Sequence, residues 1–267
     1  MSAVKRFVEY ALGGRGGRQL SETLAKVGLR GLGVGLPPFV SESGEANFLR
    51  TFIKTCGCAV AVDVGAHFGE YTACLLECGA NRVVAFEPIP ESASQFAQGL
   101  GRDPRVTLRS AALGETERDI DLRLPIDAPT STIASRGEGG EKFTTSAFRS
   151  ITVQMTTLDA EMERLAVTPD FLKIDVEGYE IEVLAGAPST IASGKIKAIQ
   201  IEFSHYNLSR NQTVRDFEKL LPNYLMFRLA ARSLRPVDSE HFLGTIYGYS
   251  NFVALRPDIA RALHSLI

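Results

Sequence analysis

From residue 59 onward, short apolar runs alternate with segments whose apolar positions recur at helical spacing. A short apolar run bounded by turn residues is typical of a strand that helices cover on both faces. The alternation therefore predicts an α/β fold with a doubly wound, mostly parallel sheet. The predicted strands are residues 59–64, 82–86, 106–110, 171–175, 198–203, 224–229 and 248–255.

Helical periodicity and capping residues place helices between these strands. Pro90 suits the first turn of one helix, and Thr157 is a candidate N-cap for another. The predicted helices are residues 42–54, 71–78, 90–100, 157–165, a short helix around 181–184, and 213–221.

One long segment, residues 115–168, interrupts this alternation. It holds two stretches in which apolar and polar residues alternate, 119–124 and 151–155, separated by a polar loop at 125–145. We expect two strands that form an inserted hairpin or lie at an edge of the sheet. The loop is a candidate lid or substrate-recognition element, with a disordered surface loop as the alternative.

Residues 1–45 are predicted as an N-terminal helical extension, and residues 46–267 as the main domain. Val4, Phe7 and Val8 recur at helical spacing, a glycine-rich run at 13–17 breaks that helix, and residues 28–38 are predicted as a loop. The extension could complete a substrate pocket or form a homodimer contact, and the sequence does not decide between them.

The composition narrows the classes of partner. The chain has 267 residues, 45% of them hydrophobic, which suits one large α/β domain. Its net charge of −2 gives no basic excess, which argues against nucleic acid as a partner. No apolar run approaches the roughly 20 residues of a transmembrane helix. No signal-like stretch follows Lys5 and Arg6, so we predict a cytoplasmic protein.

The four cysteines lie close together in the sequence, at Cys56, Cys58, Cys74 and Cys78. A zinc cluster or a disulfide is one interpretation. Their spacings match no standard zinc pattern, so we expect small buried thiols.

The chemistry begins at the turn after the first predicted strand. Gly65 and Gly69 let the backbone pass close to a ligand, but their spacing differs from the tighter glycine pattern of dinucleotide-binding proteins. Glu70 would repel a pyrophosphate at the start of the following helix. Asp63 and Glu87 suit the ammonium group and the ribose hydroxyls of S-adenosylmethionine. The pattern therefore favours this cofactor.

Three further strand ends complete the predicted site. Small residues after the third strand leave room for adenine, and the fourth and fifth strands deliver acids and a histidine to the same rim. The predicted cofactor-binding residues are Asp63, Gly65, Ala66, His67, Gly69, Tyr71, Glu87, Pro88, Ser110, Ala111 and Asp175. The predicted catalytic residues are His205, Glu202, Asp175 and Glu177.

The sequence resembles the FkbM family of S-adenosylmethionine-dependent methyltransferases over roughly residues 45–255. The resemblance is carried by the segments at 63–69, 86–88, 157–159, 173–180 and 184–187. It implies a class I, Rossmann-like methyltransferase fold with a seven-stranded sheet in the order 3-2-1-4-5-7-6, whose last strand is antiparallel. His67 stands where the family usually has asparagine, so the contact made at that position stays open.

The resemblance also implies transfer of a methyl group to a hydroxyl of a small molecule, sugar, glycan or natural product. Such a hydroxyl must lose its proton, and His205 or Glu202 is the expected base, with Asp175 and Glu177 as alternatives. A divalent cation held by Asp175, Glu177 and Glu202 is a further alternative, although we expect no metal. The rival functions are a non-catalytic cofactor-binding protein and, less favoured, a nicotinamide oxidoreductase.

Overall fold

The computed structural model describes residues 12–14, 17–126 and 147–267. The strands are β1 (Ala61–Val64), β2 (Val83–Phe86), β3 (Val106–Arg109), β4 (Ala112–Leu113), β5 (Arg118–Pro125), β6 (Phe148–Thr156), β7 (Phe171–Ile174), β8 (Ala198–Phe203), β9 (Leu225–Leu229), β10 (Leu234–Pro236) and β11 (Ser250–Leu255). The helices are α1 (Arg18–Gly31), α2 (Glu45–Cys56), α3 (Glu70–Glu77), α4 (Pro90–Leu100), α5 (Leu158–Leu165), α6 (Glu180–Ala185), α7 (Pro188–Ala192), α8 (His205–Ser209), α9 (Val214–Leu220) and α10 (Pro257–Ala262).

The main sheet has the strand order β3-β2-β1-β7-β8-β11-β9-β10. Strands β3, β2, β1, β7 and β8 are parallel, and β11 runs antiparallel to both β8 and β9. The predicted order of seven strands is confirmed. The sheet has eight strands because β10 adds an antiparallel edge strand beside β9. This strand is three residues long and ends in proline, which left no recognisable strand pattern.

The central strands are buried because both of their faces are covered. Successive residues of β1 point to opposite faces: Ala61 joins one apolar cluster and Val62 the other. Helices α2, α3 and α10 cover the first face, and α5, α6 and α9 cover the second. All four residues of β1, β2 and β7 are buried, as expected for strands covered on both faces.

A second sheet, in the order β4-β6-β5, lies in the inserted segment. Strands β5 and β6 pair antiparallel from Arg118↔Met155 to Pro125↔Phe148, which confirms the predicted pairing of the two alternating stretches. Their placement at an edge of the main sheet is wrong, because they form a sheet with an apolar cluster of its own. Most of the predicted loop at 125–145 lies outside the described residues.

The N-terminal part differs from its prediction in two places. Residues 28–31, predicted as loop, form the end of α1, where their exposed glycines meet no steric conflict. Helix α2 begins at Glu45 rather than at residue 42, because Gly44 holds a left-handed φ of 93° that ends the preceding turn. The predicted helix containing Val4 and Phe7 lies outside the described residues.

All four cysteines are free, which excludes the disulfide interpretation. In the described ranges they belong to no group that could hold a metal. Burial raises the pKa of the Cys58 thiol to about 12, which keeps it protonated and unreactive. Among the described helices, none combines the length and apolar composition that crossing a bilayer requires.

Candidate active site

A cavity of about 520 Å³ lies at the carboxyl ends of the central strands. The residues directly after β1, β2, β7 and β8 line it, at 65–68, 87–89, 175–177 and 204–206. Strand order reverses between β1 and β7, and a doubly wound sheet leaves its ligand crevice at such a switch point.

The turn after β1 depends on Gly65. Its φ is 82°, and a Cβ built there would lie 1.8 Å from the carbonyl oxygen of Asp175. Only glycine therefore allows the turns that follow β1 and β7 to touch. Gly69 has a φ of 90° and packs against Phe96 just before α3, where a Cβ would come within 2.9 Å of that ring. Gly65, Ala66 and His67 line the cavity, whereas Gly69 shapes the turn without lining it.

Glu87 lies in the cavity wall beside this turn. One of its carboxylate oxygens accepts the backbone N–H of His67 at 2.8 Å, and the other accepts the N–H of Ile89 at 2.8 Å. Burial raises the pKa of Glu87 to about 7, although the two backbone donors oppose the shift. Both oxygens keep a second lone-pair direction, which fits a pair of ribose hydroxyls.

Asp63 lies beneath the cavity and does not line it. It is 1% exposed, and its carboxylate accepts the Thr72 hydroxyl at 2.6 Å. Burial raises the pKa of Asp63 to about 6. Asp63 is predicted to accept from the cofactor's ammonium group directly or through water, and from this buried position the direct contact would need a movement of its side chain.

The predicted adenine end contains Ala111, Ala112 and Leu113, with Pro88 and Ile89 opposite. Ser110 is a third predicted cofactor residue, after Asp63 and Gly69, that does not line the cavity. It is exposed and faces a separate shallow depression beside Pro90 and Thr152, because alternation along the chain turns Ala111 inward and Ser110 outward.

The inserted sheet adds three wall residues that the sequence prediction missed. Ile120, Leu122 and Met155 line the same end of the cavity as Ala111. Ile120 and Leu122 are buried on one face of β5, and Asp119 and Asp121 face outward. That alternation was visible in the sequence, but it did not reveal which part of the structure the apolar face of β5 packs against.

The opposite end of the cavity is acidic. Asp175, Glu177 and Glu202 each place a carboxylate oxygen within 4.8 Å of the others. The Tyr249 hydroxyl donates to Glu202 at 3.0 Å. Burial holds the pKa of Glu202 well above its usual range, and the charge of Asp175 raises it further.

Lys173 places a buried positive charge beside this acidic group. Its ammonium lies 3.4 Å from the Asp175 carboxylate, and the side chain is 3% exposed. Burial alone would lower the pKa of Lys173, but the surrounding carboxylates of Asp175, Glu45 and Glu202 outweigh it and raise the pKa. The lysine therefore stays charged and partly neutralises the acids.

The Glu180 carboxylate stabilises the conformation of the loop after β7. Its buried carboxylate accepts the backbone N–H groups of Val176 at 3.0 Å and Gly178 at 3.1 Å, and the Asn207 side chain at 2.6 Å. Glu177 between them has a φ of 54°, which is unusual for a residue other than glycine. This bonding holds Glu177 in the cavity wall and ties the loop to α8.

His205 is the first residue of α8, and it lines the cavity at its acidic end. Ser204 caps this helix, and the Asn207 side chain accepts the Ser204 N–H at 2.8 Å. All four predicted catalytic residues, His205, Glu202, Asp175 and Glu177, therefore line one end of one cavity.

A buried polar network links the N-terminal segment to this site. The Tyr71 hydroxyl donates to Gln200 at 2.6 Å, and the Gln200 amide donates to Glu45 and, at 3.1 Å, to Asn251. Lys173 donates to the same Asn251 oxygen at 3.3 Å. The sequence prediction missed Glu45, Gln200 and Asn251, although polar residues inside apolar strands were a signal.

The sheet order, the antiparallel β11 and the glycine turn between Asp63 and Glu87 define the class I, Rossmann-like methyltransferase fold. The sequence-family model of the methyltransferase FkbM domain matches residues 63–230 of this chain. The chain belongs to this family, as its motifs predicted. Every predicted site residue lies within the matched range.

One curated relative is the hexuronic acid methyltransferase AglP of Haloferax volcanii, which is 30% identical over 161 residues. That match covers 59% of this chain and 62% of the relative, so the chain spans less than two thirds of the relative's length.

Two solved structures are also similar. The methyltransferase FkbM of Methylobacillus flagellatus has a TM-score of 0.47 at 19% identity, covering 73% of this chain and 43% of its own. An O-methyltransferase of Bacillus cereus in complex with SAH has a TM-score of 0.44 at 14% identity, covering 96% and 98%.

Proposed function

We propose that the chain is an S-adenosylmethionine-dependent O-methyltransferase that acts on a hydroxyl of a sugar, glycan or other small molecule. One observation carries the proposal: a single cavity joins the nucleoside-type cradle of Gly65 and Glu87 to an end that holds four candidate bases. Bound there, S-adenosylmethionine supplies a methyl group on a positively charged sulfonium.

The residues present fit this cofactor. Only glycine fits at position 65, where the turn touches the Asp175 carbonyl, and the Glu87 oxygens in the cavity wall keep hydrogen-bonding capacity. Ala111–Leu113 and Pro88 suit a flat ring because they are small or apolar. The acidic end suits a cation, since opposite charges attract strongly where water is largely excluded.

The charge of the cavity bears on the acceptor. Seven carboxylates and one ammonium, that of Lys173, line it in the described part of the chain. The name of the relative AglP points to a sugar acid, but an anionic group would meet repulsion in this cavity. Carboxylates instead accept hydrogen bonds from neutral hydroxyls. The preferred acceptor is therefore a polyhydroxyl compound without a carboxylate beside the reacting group.

A hydroxyl acceptor needs a base, and a carboxylate acceptor does not. His205 is the proposed base, because imidazole accepts protons near neutral pH and this histidine lines the acidic end. Glu202 is the second candidate. The predicted contribution of residues 1–45 to the acceptor pocket also belongs to this proposal, and Pro38, Val40 and Glu45 line the cavity.

Calorimetric titration with S-adenosylhomocysteine tests the cofactor site, using the parent and the Glu87→Ala variant. We expect binding by the parent and its loss in the variant, with Glu163→Ala on the outer part of α5 as the control. A folded parent that binds no S-adenosylhomocysteine would overturn the proposal. Binding without turnover on any hydroxylated acceptor would favour the non-catalytic alternative. Membership of the FkbM methyltransferase family argues against the alternative of a nicotinamide oxidoreductase.

We predict that chelation leaves turnover unchanged. The Lys173 ammonium, 3.4 Å from Asp175, already supplies a positive charge to the acids that could hold a cation. The measurement is methyl transfer before and after dialysis against EDTA. Activity that disappears on chelation and returns with Mg²⁺ would instead assign Asp175, Glu177 and Glu202 to a metal.

A further inference from the structure

Helix α1 carries an apolar face that the described part of the chain does not cover. Leu20, Leu24 and Val27 are 56%, 52% and 67% exposed. Their spacing of four and three residues places them on one side of the helix. None of the residues of α1 is buried, whereas α2 buries four large apolar side chains. Packing within the domain therefore does not explain the apolar face of α1.

The charge of this segment is opposite to that of the rest of the chain. The remaining circumference of α1 carries Arg18, Lys26 and Arg30 against one acid, Glu22. In the sequence, residues 1–33 hold six basic and two acidic residues, whereas the other 234 hold 23 and 29. The basic charge is thus concentrated next to the exposed apolar face.

We propose that α1 binds the surface of an anionic lipid bilayer. An amphipathic helix with leucine on one face and basic residues on the other lies in the headgroup region, with its apolar side chains at the acyl boundary. Each lysine or arginine near an anionic surface adds attraction, which salt weakens. The proposal does not depend on the proposed methyltransferase activity.

A second copy of the chain is a less favoured binding partner for the apolar face of α1 than a bilayer is. Three aliphatic side chains offer only a small part of the roughly 800 Å² per partner that a stable interface buries. Packing through the apolar face would also make no use of Arg18, Lys26 and Arg30 on the rest of the helix. The same basic residues add to the attraction at an anionic bilayer.

The end of α1 is fixed near the cavity. Gly33 packs so closely on β9 that a Cβ would lie 2.2 Å from the Leu229 carbonyl oxygen, and the Gly35 N–H donates to the Tyr249 carbonyl at 2.8 Å. Pro38 and Val40, a few residues later, line the cavity. A bilayer-bound α1 would therefore hold this wall of the cavity close to the membrane.

Co-sedimentation of the full chain with vesicles tests the proposal. One set of vesicles is phosphatidylcholine alone, and the other replaces part of it with phosphatidylglycerol. We expect binding to the anionic vesicles that weakens with salt, and a loss of about tenfold or more in Leu24→Glu, because the variant removes apolar burial and adds repulsion.

The matched control is Phe242→Glu, which makes the same kind of change at a side chain that is 68% exposed outside α1. It should bind vesicles like the parent. Because Leu24 is exposed, Leu24→Glu should keep the parent's thermal unfolding. The proposal is wrong if the parent does not bind anionic vesicles, or if Leu24→Glu binds them equally well. It is also wrong if size-exclusion chromatography shows a dimer that Leu24→Glu dissociates and that binds no vesicles.

Discussion

At the scale of single residues, the site depends on groups that the fold holds in unfavourable states. Glu87 is 4% exposed and Asp63 is 1% exposed, yet among the described residues no cationic side chain is bonded to either. Glu177, which is not a glycine, holds a positive φ of 54° in the wall of the same cavity. Such positions are retained where the surroundings compensate for them, and they concentrate at functional sites.

The pH dependence of stability should reveal Glu87. Its pKa in the fold, about 7, lies above the ordinary value of 4.5, so the folded state favours the protonated form. That stabilisation is complete below pH 4.5 and is lost as the pH rises through 7. Relative to Glu87→Gln, the parent should lose on the order of 2 kcal/mol of unfolding free energy over this range. Urea unfolding at several pH values measures it, and equal pH profiles would contradict the prediction.

Cofactor affinity should follow the opposite trend, since a proton on Glu87 occupies a lone pair that a ribose hydroxyl would use. Affinity for S-adenosylhomocysteine should therefore rise with pH through about 7 in the parent and stay flat in Glu87→Gln. Together the two trends separate the role of Glu87 in the fold from its role in binding.

Replacement of His205 tests the proposed base. His205→Ala should lower kcat by about 100-fold or more, because general bases contribute rate factors of that size. The affinity for S-adenosylhomocysteine should not change, since the base contacts the acceptor. His241→Ala, in a loop outside the cavity lining, is the control. Unchanged turnover in His205→Ala would move the assignment to Glu202.

At the scale of elements, the order and direction of the strands were predictable from the sequence, and the walls of the site were only partly so. The order followed from the family resemblance. The strands 61–64, 83–86 and 171–174 are mostly apolar, with Asp63 and Lys173 as charged exceptions, and turn residues follow them, so the pattern indicates strands. Ile120 and Leu122 show a clear period of two, but alternation does not say what an apolar face packs against. Gln200 and Glu45 meet across 155 positions of sequence, a contact that no local pattern encodes.

The loop between β7 and α6 offers a test at this scale. Glu180→Ala should leave the N–H groups of Val176 and Gly178 without their acceptor and lower the unfolding free energy by about 2–4 kcal/mol. Turnover should fall further than cofactor affinity, because Glu177 and His205 lose their support. Chemical denaturation and kinetics measure the two effects. Glu163→Ala, which is exposed on α5, should change neither.

At the scale of the whole molecule, the cavity combines parts that are far apart in the chain. The family match runs from residue 63 to residue 230, but Pro38, Val40, Glu45 and Tyr249 also line the cavity. Pro38, Val40 and Glu45 belong to the predicted extension 1–45, so the extension contributes to the cavity wall. The division at residue 45 stays a prediction.

Deletion of residues 1–31 separates the two parts of the extension. This deletion removes α1, which buries none of its residues, and keeps the cavity wall. Affinity for S-adenosylhomocysteine and the midpoint of thermal unfolding should match those of the full chain. A deletion of residues 1–44 should lower both, because it removes Pro38 and Val40. Equal losses in the two deletions would show that α1 supports the fold.

The wall residues outside the family match have a practical consequence for engineering. Pro38, Val40 and Tyr249 face the cavity from segments that contribute nothing to the glycine turn or to the Glu87 carboxylate. A combinatorial library confined to these three codons would vary acceptor choice and leave the cofactor cradle intact. Such a library would be small enough to screen exhaustively for new products.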